Sequence, residues 1–121
     1  MPRAYTDLRL LHPASGRVLA ESLERPRTFV GQGLGLMFRR TLPAGHGMVI
    51  DNCNGIHMLF MRFPIDAVFL DRKNQVKKVY RRLPPWTGAV WWVWGAVRVV
   101  ELPPGALDGL DLAAGEPLEL S

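Results

Sequence analysis

The sequence holds a single cysteine, Cys53, which excludes an intramolecular disulfide and any site assembled from several thiolates. It also has no apolar run near the roughly 18 residues that would cross a bilayer as a helix. Met1 to Asp7 lack the apolar core of a secretion signal. The expectation is therefore a soluble, cytoplasmic protein without a membrane span. Internal repeats and low-complexity tracts are missing too, and glycine and proline are scattered as turn punctuation instead of gathering into a linker. Residues 1–121 are accordingly expected to form one domain. With 48% apolar and 21% charged residues, the chain has the composition of a folding globular protein and not of a disordered one.

Acidic residues are absent from one long stretch. Between Arg72 and Arg98 there is none, while Lys73, Lys77, Lys78, Arg81 and Arg82 fall there. Past Arg98 the sign reverses, with Glu101, Asp108, Asp111, Glu116 and Glu119 and no further cation. The net charge of +4 is modest, so this asymmetry reads first as a solvated hairpin whose charges keep an exposed strand edge from pairing with other chains.

What is present is a series of short apolar runs with frequent turns. Residues 5–12 and 17–23 flank Pro13-Ala14-Ser15-Gly16, a turn cluster that predicts a first hairpin. Residues 24–42 are too glycine-rich for a sustained helix and predict only a turn or two of helix after Pro26. Asn54-Gly55 between apolar runs predicts a two-residue hairpin loop, with Cys53 opposite Ile56 and Asn52 opposite His57. Alternation then places Cys53 and His57 on opposite faces. Residues 56–63 and 65–71 are apolar on both parities, which predicts a strand covered on each face and interrupted at Pro64. Asp71 to Gln75 predicts a second hairpin with Asn74 left-handed, returning through 76–83. Residues 86–102 read as two strands broken near Gly95, 106–112 as one helical turn, and 117–120 as a closing strand. The fold class that follows is mainly β, a compact antiparallel β-sandwich or small barrel with one or two short helical turns.

Few residues carry obvious chemistry. His46, Asp51, Cys53 and His57 are metal-ligand types, but their spacing fits no zinc motif, and in one extended strand Cys53 and His57 would lie about 13 Å apart at roughly 3.3 Å per residue. No metal and no cofactor are expected. A Cys53 nucleophile with a His57 base is weakened by the same opposite-face argument. Arg62, Asp66 and Glu101 are charges set in apolar stretches, which are normally paired because an unpaired buried charge is costly. Arg62 with Asp66 or Glu101 is the structural expectation. In the functional version they floor a pocket in which Arg62 grips a carboxylate or phosphate. Trp86, Trp91, Trp92 and Trp94 more commonly pack in a core, although Trp92 and Trp94 with Lys77, Lys78, Arg81 and Arg82 also suit stacked single-stranded bases.

Gly35-Leu36-Met37-Phe38-Arg39, Gly47-Met48, His57 to Asp71 through Met61-Arg62-Phe63-Pro64-Ile65-Asp66, and Val100-Glu101-Leu102-Pro103-Pro104-Gly105 occur in this order. Together they resemble the domain of unknown function 192, over about residues 18–120. The resemblance implies a compact, mostly antiparallel β fold with no assigned activity, known in secreted and cytoplasmic forms. It also implies that Arg39, Arg62, Asp66 and Glu101 are the motif's polar residues, the last three matching the embedded charges found above. Where the family often has Gly-Asp, this chain has Gly115-Glu116.

The functional expectation is a non-enzymatic module binding a small anionic ligand or a protein partner at Arg39, Arg62, Asp66, Glu101 and His57. An enzyme using His57 or Cys53, with or without a metal, is the first alternative. Single-stranded nucleic-acid binding through residues 72–98 is the second.

Overall fold

The computed structural model describes residues 8–26, 36, 37 and 39–121. Among them the chain is mainly β: ten short strands form and no helix. They are β1 (Leu10–His12), β2 (Arg17–Ala20), β3 (Ser22–Glu24), β4 (His46–Asp51), β5 (Ile56–His57), β6 (Ile65–Leu70), β7 (Val76–Leu83), β8 (Ala89–Val90), β9 (Arg98–Leu102) and β10 (Glu119–Leu120). The main sheet has the order β3-β4-β9-β6-β7, with a three-stranded sheet β10-β1-β2 and a two-stranded ribbon β5-β8 beside it. All pairings are antiparallel except β3 with β4. The main sheet stays open and does not close into a barrel.

Both faces of the main sheet are covered, which is why β6 is apolar on both parities and buried at all six positions. On one face Val49, Val68, Leu70, Val100 and Leu102 pack with Leu10, Leu19 and Ala20 of the small sheet and with Leu107. On the other, Met48, Ile50, Ala67, Phe69 and Val99 pack with Leu36, Leu42, Met58, Val90 and Val93. Alternation along β4, β6 and β9 sends successive buried apolar side chains to one or the other of these two cores.

Two hairpins match the sequence reading. Pro13 to Gly16 turns β1 into β2 with Gly16 at φ 74°, and Asn74 takes φ 60° in the turn that joins β6 to β7. The Asp71 carboxylate stabilises that second turn by accepting the Lys73 and Gln75 N–H groups at 2.8 and 2.9 Å. The break at Gly95, with φ 79°, and the closing strand β10 also lie where expected.

The Asn54-Gly55 hairpin does not form. Both edges of β4 are occupied, by β3 and by β9, so no place remains for a neighbour from residues 56–61. Instead the chain leaves the sheet at Asn52, φ 53°, the Cys53 N–H bonds to the Val97 carbonyl, and β5 pairs with β8. The strand expected over 56–63 shrinks to two residues followed by a turn, with the Met61 N–H on the Met58 carbonyl. Residues 103–110 form consecutive i to i+3 turns, not a helical turn of α type. The helical turn expected after Pro26 falls on residues 27–35, outside the described residues.

Candidate functional site

Alternation separates the embedded charges. Asp66 shares its parity with Val68 and Leu70 and points into the core beneath the small sheet, where it is completely buried. Its carboxylate accepts the Arg82 N–H at 2.9 Å and the Leu107 N–H at 3.1 Å. Glu101 shares its parity with Val99 and points to the opposite face. Arg62 is exposed in the turn after β5 and pairs with neither acid among the described residues. The expected Arg62 ion pair is thus replaced by backbone amides at Asp66, because the stretch around Arg62 is a surface turn and not a covered strand. Arg39, Arg62 and Asp66 do not form one cluster.

A different cluster replaces it. The registers Glu24 with Met48, Met48 with Glu101, and Glu101 with Ala67 place Glu24 and Glu101 in one row across the main sheet. Two strand spacings separate them, about 10 Å. The Arg39 guanidinium grips Glu24 through Nη1–Oε2 at 2.5 Å and Nη2–Oε1 at 3.0 Å. Its positive charge also acts on Glu101. Glu101 itself is buried and its Oε1 has no hydrogen-bond partner among the described residues. Burial pushes the Glu101 carboxyl up to about 7, only partly opposed by Arg39. Glu24 was not singled out from the sequence. Its pairing to β4 is parallel and follows a connection of more than twenty residues, so no local pattern announces it.

An open cleft of about 360 Å³ is lined by Asn52, Cys53, Asn54, Gly55, Ile56, His57, Val90 and Trp91. Cys53 and His57 therefore both line this cleft, contrary to the opposite-face expectation, because the hairpin that would have parted them is not there. Neither bonds the other. The Cys53 thiol donates to the Gly55 carbonyl at 3.0 Å, and His57 Nδ1 accepts the Leu59 N–H at 3.3 Å. Burial pushes the thiol up, and the charge of Glu101 adds to it. Cys53 packs against the same core face that Glu101 enters, and the charge of Glu101 reaches its thiol. A thiol held protonated with its hydrogen on a carbonyl is a poor nucleophile. Among the described residues no three His, Cys, Asp or Glu side chains are grouped to hold a metal.

The cations weighed for nucleic acid have divided roles. Arg81 donates to the Leu107 and Leu110 carbonyls at 2.6 and 2.5 Å, and Arg82 forms two bonds to Asp108. With Arg17 on the Ala106 and Asp108 carbonyls, they hold residues 106–110 against the sheet. Lys78 lies 5.9 Å from the Tyr80 ring centre, and Lys77 runs along Gly95. β7 is indeed an edge strand carrying exposed cations, as the charge pattern suggested. All four tryptophans are exposed, Trp91 and Trp94 by 81%, so the core-packing expectation does not hold.

Two further polar groups brace the fold. His12 is buried between Ser15 Oγ at 2.6 Å and Glu116 Oε1 at 2.5 Å, which ties the first hairpin to the C-terminal segment. The hydrogen bond from His12 lowers the Glu116 carboxyl. Asp51 receives Arg25 at 2.7 and 2.8 Å and Arg98 at 3.3 Å, and the Arg25 bonds hold it below the usual carboxylate range.

With this geometry in place, comparison with known proteins decides the family. The sequence profile of DUF192, described as "Uncharacterized ACR, COG1430", matches residues 11–120. The chain belongs to the DUF192 family. No curated protein matches it. Two solved structures share its fold. One, from Sinorhizobium meliloti 1021 and named a "putative transcription regulator", has a TM-score of 0.80 and 24% identity, covering 99% of this chain and 96% of the other. The second, a protein of unknown function from Novosphingobium aromaticivorans, has a TM-score of 0.76 and 23% identity over 93% of this chain and 82% of its own. At these identities the likeness to the two solved structures extends to the fold alone.

Proposed function

We propose that this DUF192 domain is a non-enzymatic binding module whose ligand enters the cleft beside Cys53 and His57 and hydrogen-bonds Glu101. The observation that carries this reading is the buried Glu101 Oε1, which has no partner among the described residues. An unsatisfied buried acceptor costs roughly 1–3 kcal/mol, a penalty that a leucine at the same strand position would avoid. A ligand that donates a hydrogen bond removes the penalty on binding. Arg39 is already held by two bonds to Glu24, so an anion at Arg39 would first have to displace a carboxylate. The open position therefore favours an amine or amide donor over the anionic ligand expected from Arg62, and the Asn52, Asn54 and His57 side chains offer polar contacts along the approach.

A thermal-shift panel of small amines, amides, carboxylates and phosphates tests this. Amines or amides are expected to raise the melting temperature of the native chain and to leave Glu101→Leu unmoved, although that variant is itself more stable. If no donor shifts the native chain, or Glu101→Leu responds equally, the reading fails.

A further inference from the structure

Among the described residues most of the large apolar side chains left exposed are aromatic, and of these only Trp91 lines the cleft. Trp91 and Trp94 are 81% exposed and Trp92 57%, while Val93 between them is buried and anchors the loop, its N–H on the Asn54 carbonyl. Trp92 and Trp94 meet edge to face, ring centres 5.4 Å apart and planes at 67°. At the other end of the β5-β8 ribbon, Trp86 and Phe60 form a second edge-to-face pair at 5.0 Å, with Leu59 exposed beside them. Both residues of that pair have positive φ, 68° for Trp86 and 64° for Phe60. Bulky side chains rarely adopt this conformation.

Charge next to the tryptophan loop has one sign. The Lys77 chain crosses Gly95, its ammonium 3.2 Å from the point where a Cβ there would sit, immediately after Trp94. Arg98 reaches the Asp71 carbonyl and Asn74, which brings the Arg72-Lys73 turn to the base of the same loop. Arg72, Lys73 and Lys77 form no ion pair among the described residues, and the nearby Asp71 carboxylate is turned inward onto backbone amides.

We infer that the Trp91-Trp92-Val93-Trp94 loop, rimmed by Arg72, Lys73 and Lys77, docks the domain onto an anionic lipid surface. Indole rings favour the boundary between headgroups and acyl chains, and lysine and arginine beside them reach the lipid phosphates. The edge-to-face setting of Trp92 and Trp94 favours lipid over single-stranded nucleic acid, because successive bases need parallel open ring faces whereas an interface accepts any ring orientation.

The test uses the full chain with vesicles of equal parts phosphatidylcholine and phosphatidylglycerol, vesicles of phosphatidylcholine alone, and oligothymidylate. Cosedimentation with the anionic vesicles and a blue shift of tryptophan emission are expected, weakening as salt rises. The double variant Trp92→Ala, Trp94→Ala is expected to lose binding by about tenfold or more, and Lys77→Glu to weaken it, with both still folded by circular dichroism since these side chains are exposed. Glu101→Leu should bind vesicles normally, which separates this inference from the ligand proposal. No binding to anionic vesicles, equal binding by the double variant, or binding to oligothymidylate without binding to vesicles would overturn it.

Discussion

Glu101→Gln isolates the cost of the buried carboxyl. The folded state raises this group from 4.5 to about 7, because burial penalises the charged form more than Arg39 favours it. Below pH 4.5 the carboxyl is neutral in both the folded and the unfolded chain, and no penalty exists. As the pH rises towards 7, the unfolded chain ionises while the folded one stays protonated, so stability drains away over that window and levels off above it. At roughly 1.4 kcal/mol per pH unit the loss sums to about 3 kcal/mol, on the order of 10 °C in melting temperature for a chain of this length. Glutamine cannot ionise. Whatever its amide costs or gains is the same at every pH, and the remaining carboxylates cancel between the two proteins. Urea unfolding of both proteins at pH 4.5 and pH 8 should therefore show Glu101→Gln gaining about 3 kcal/mol relative to the native chain between the two pH values. A gain below about 0.5 kcal/mol would refute the argument that Glu101 is buried without adequate compensation.

Three further outcomes follow from the geometry. Asp66→Ala strands the Arg82 and Leu107 N–H groups and should cost about 2–4 kcal/mol in chemical denaturation, whereas exposed Arg62→Ala should stay within about 0.5 kcal/mol; the reverse order would restore the Arg62-centred cluster. Gly47→Ala places a Cβ 2.8 Å from both the Glu101 carbonyl oxygen and Leu23 Cδ2, an overpacking expected to cost about 1–3 kcal/mol by thermal melt. Arg25 holds the Asp51 carboxyl low, so its stabilisation is present above the unfolded value and disappears as the pH falls through the folded one; Asp51→Asn should be less stable at neutral pH and flatten the acid side of the stability profile.

Features set by neighbours in sequence were readable from it. The Asp71–Gln75 turn needs only a capping carboxylate and a residue tolerant of positive φ, and both stand within five positions. The buried β6 announces itself by being apolar on both parities. Features set by distant strands were not readable. Asn54-Gly55 has the composition of a hairpin loop, yet β3 and β9 claim both edges of β4, so tertiary pairing overrides the local preference. Arg62 looked embedded because its neighbours are apolar, but those neighbours form a surface turn. Asp66 and Glu101 were picked out correctly as buried charges, while their surroundings, amides from 82 and 107 for one and the Glu24–Arg39 pair for the other, depend on long-range register. The tryptophans carry no periodicity that separates a core from an exposed loop.

Glu101 is a buried carboxyl whose Oε1 lacks a partner among the described residues, and a carbon-13 NMR titration of its side-chain carboxyl reads that state at the atom concerned. A midpoint near the value of about 7 is predicted, displaced when a donor ligand binds. An ordinary midpoint of about 4.3 would mean that the carboxyl is solvated or fully partnered, and would contradict the site.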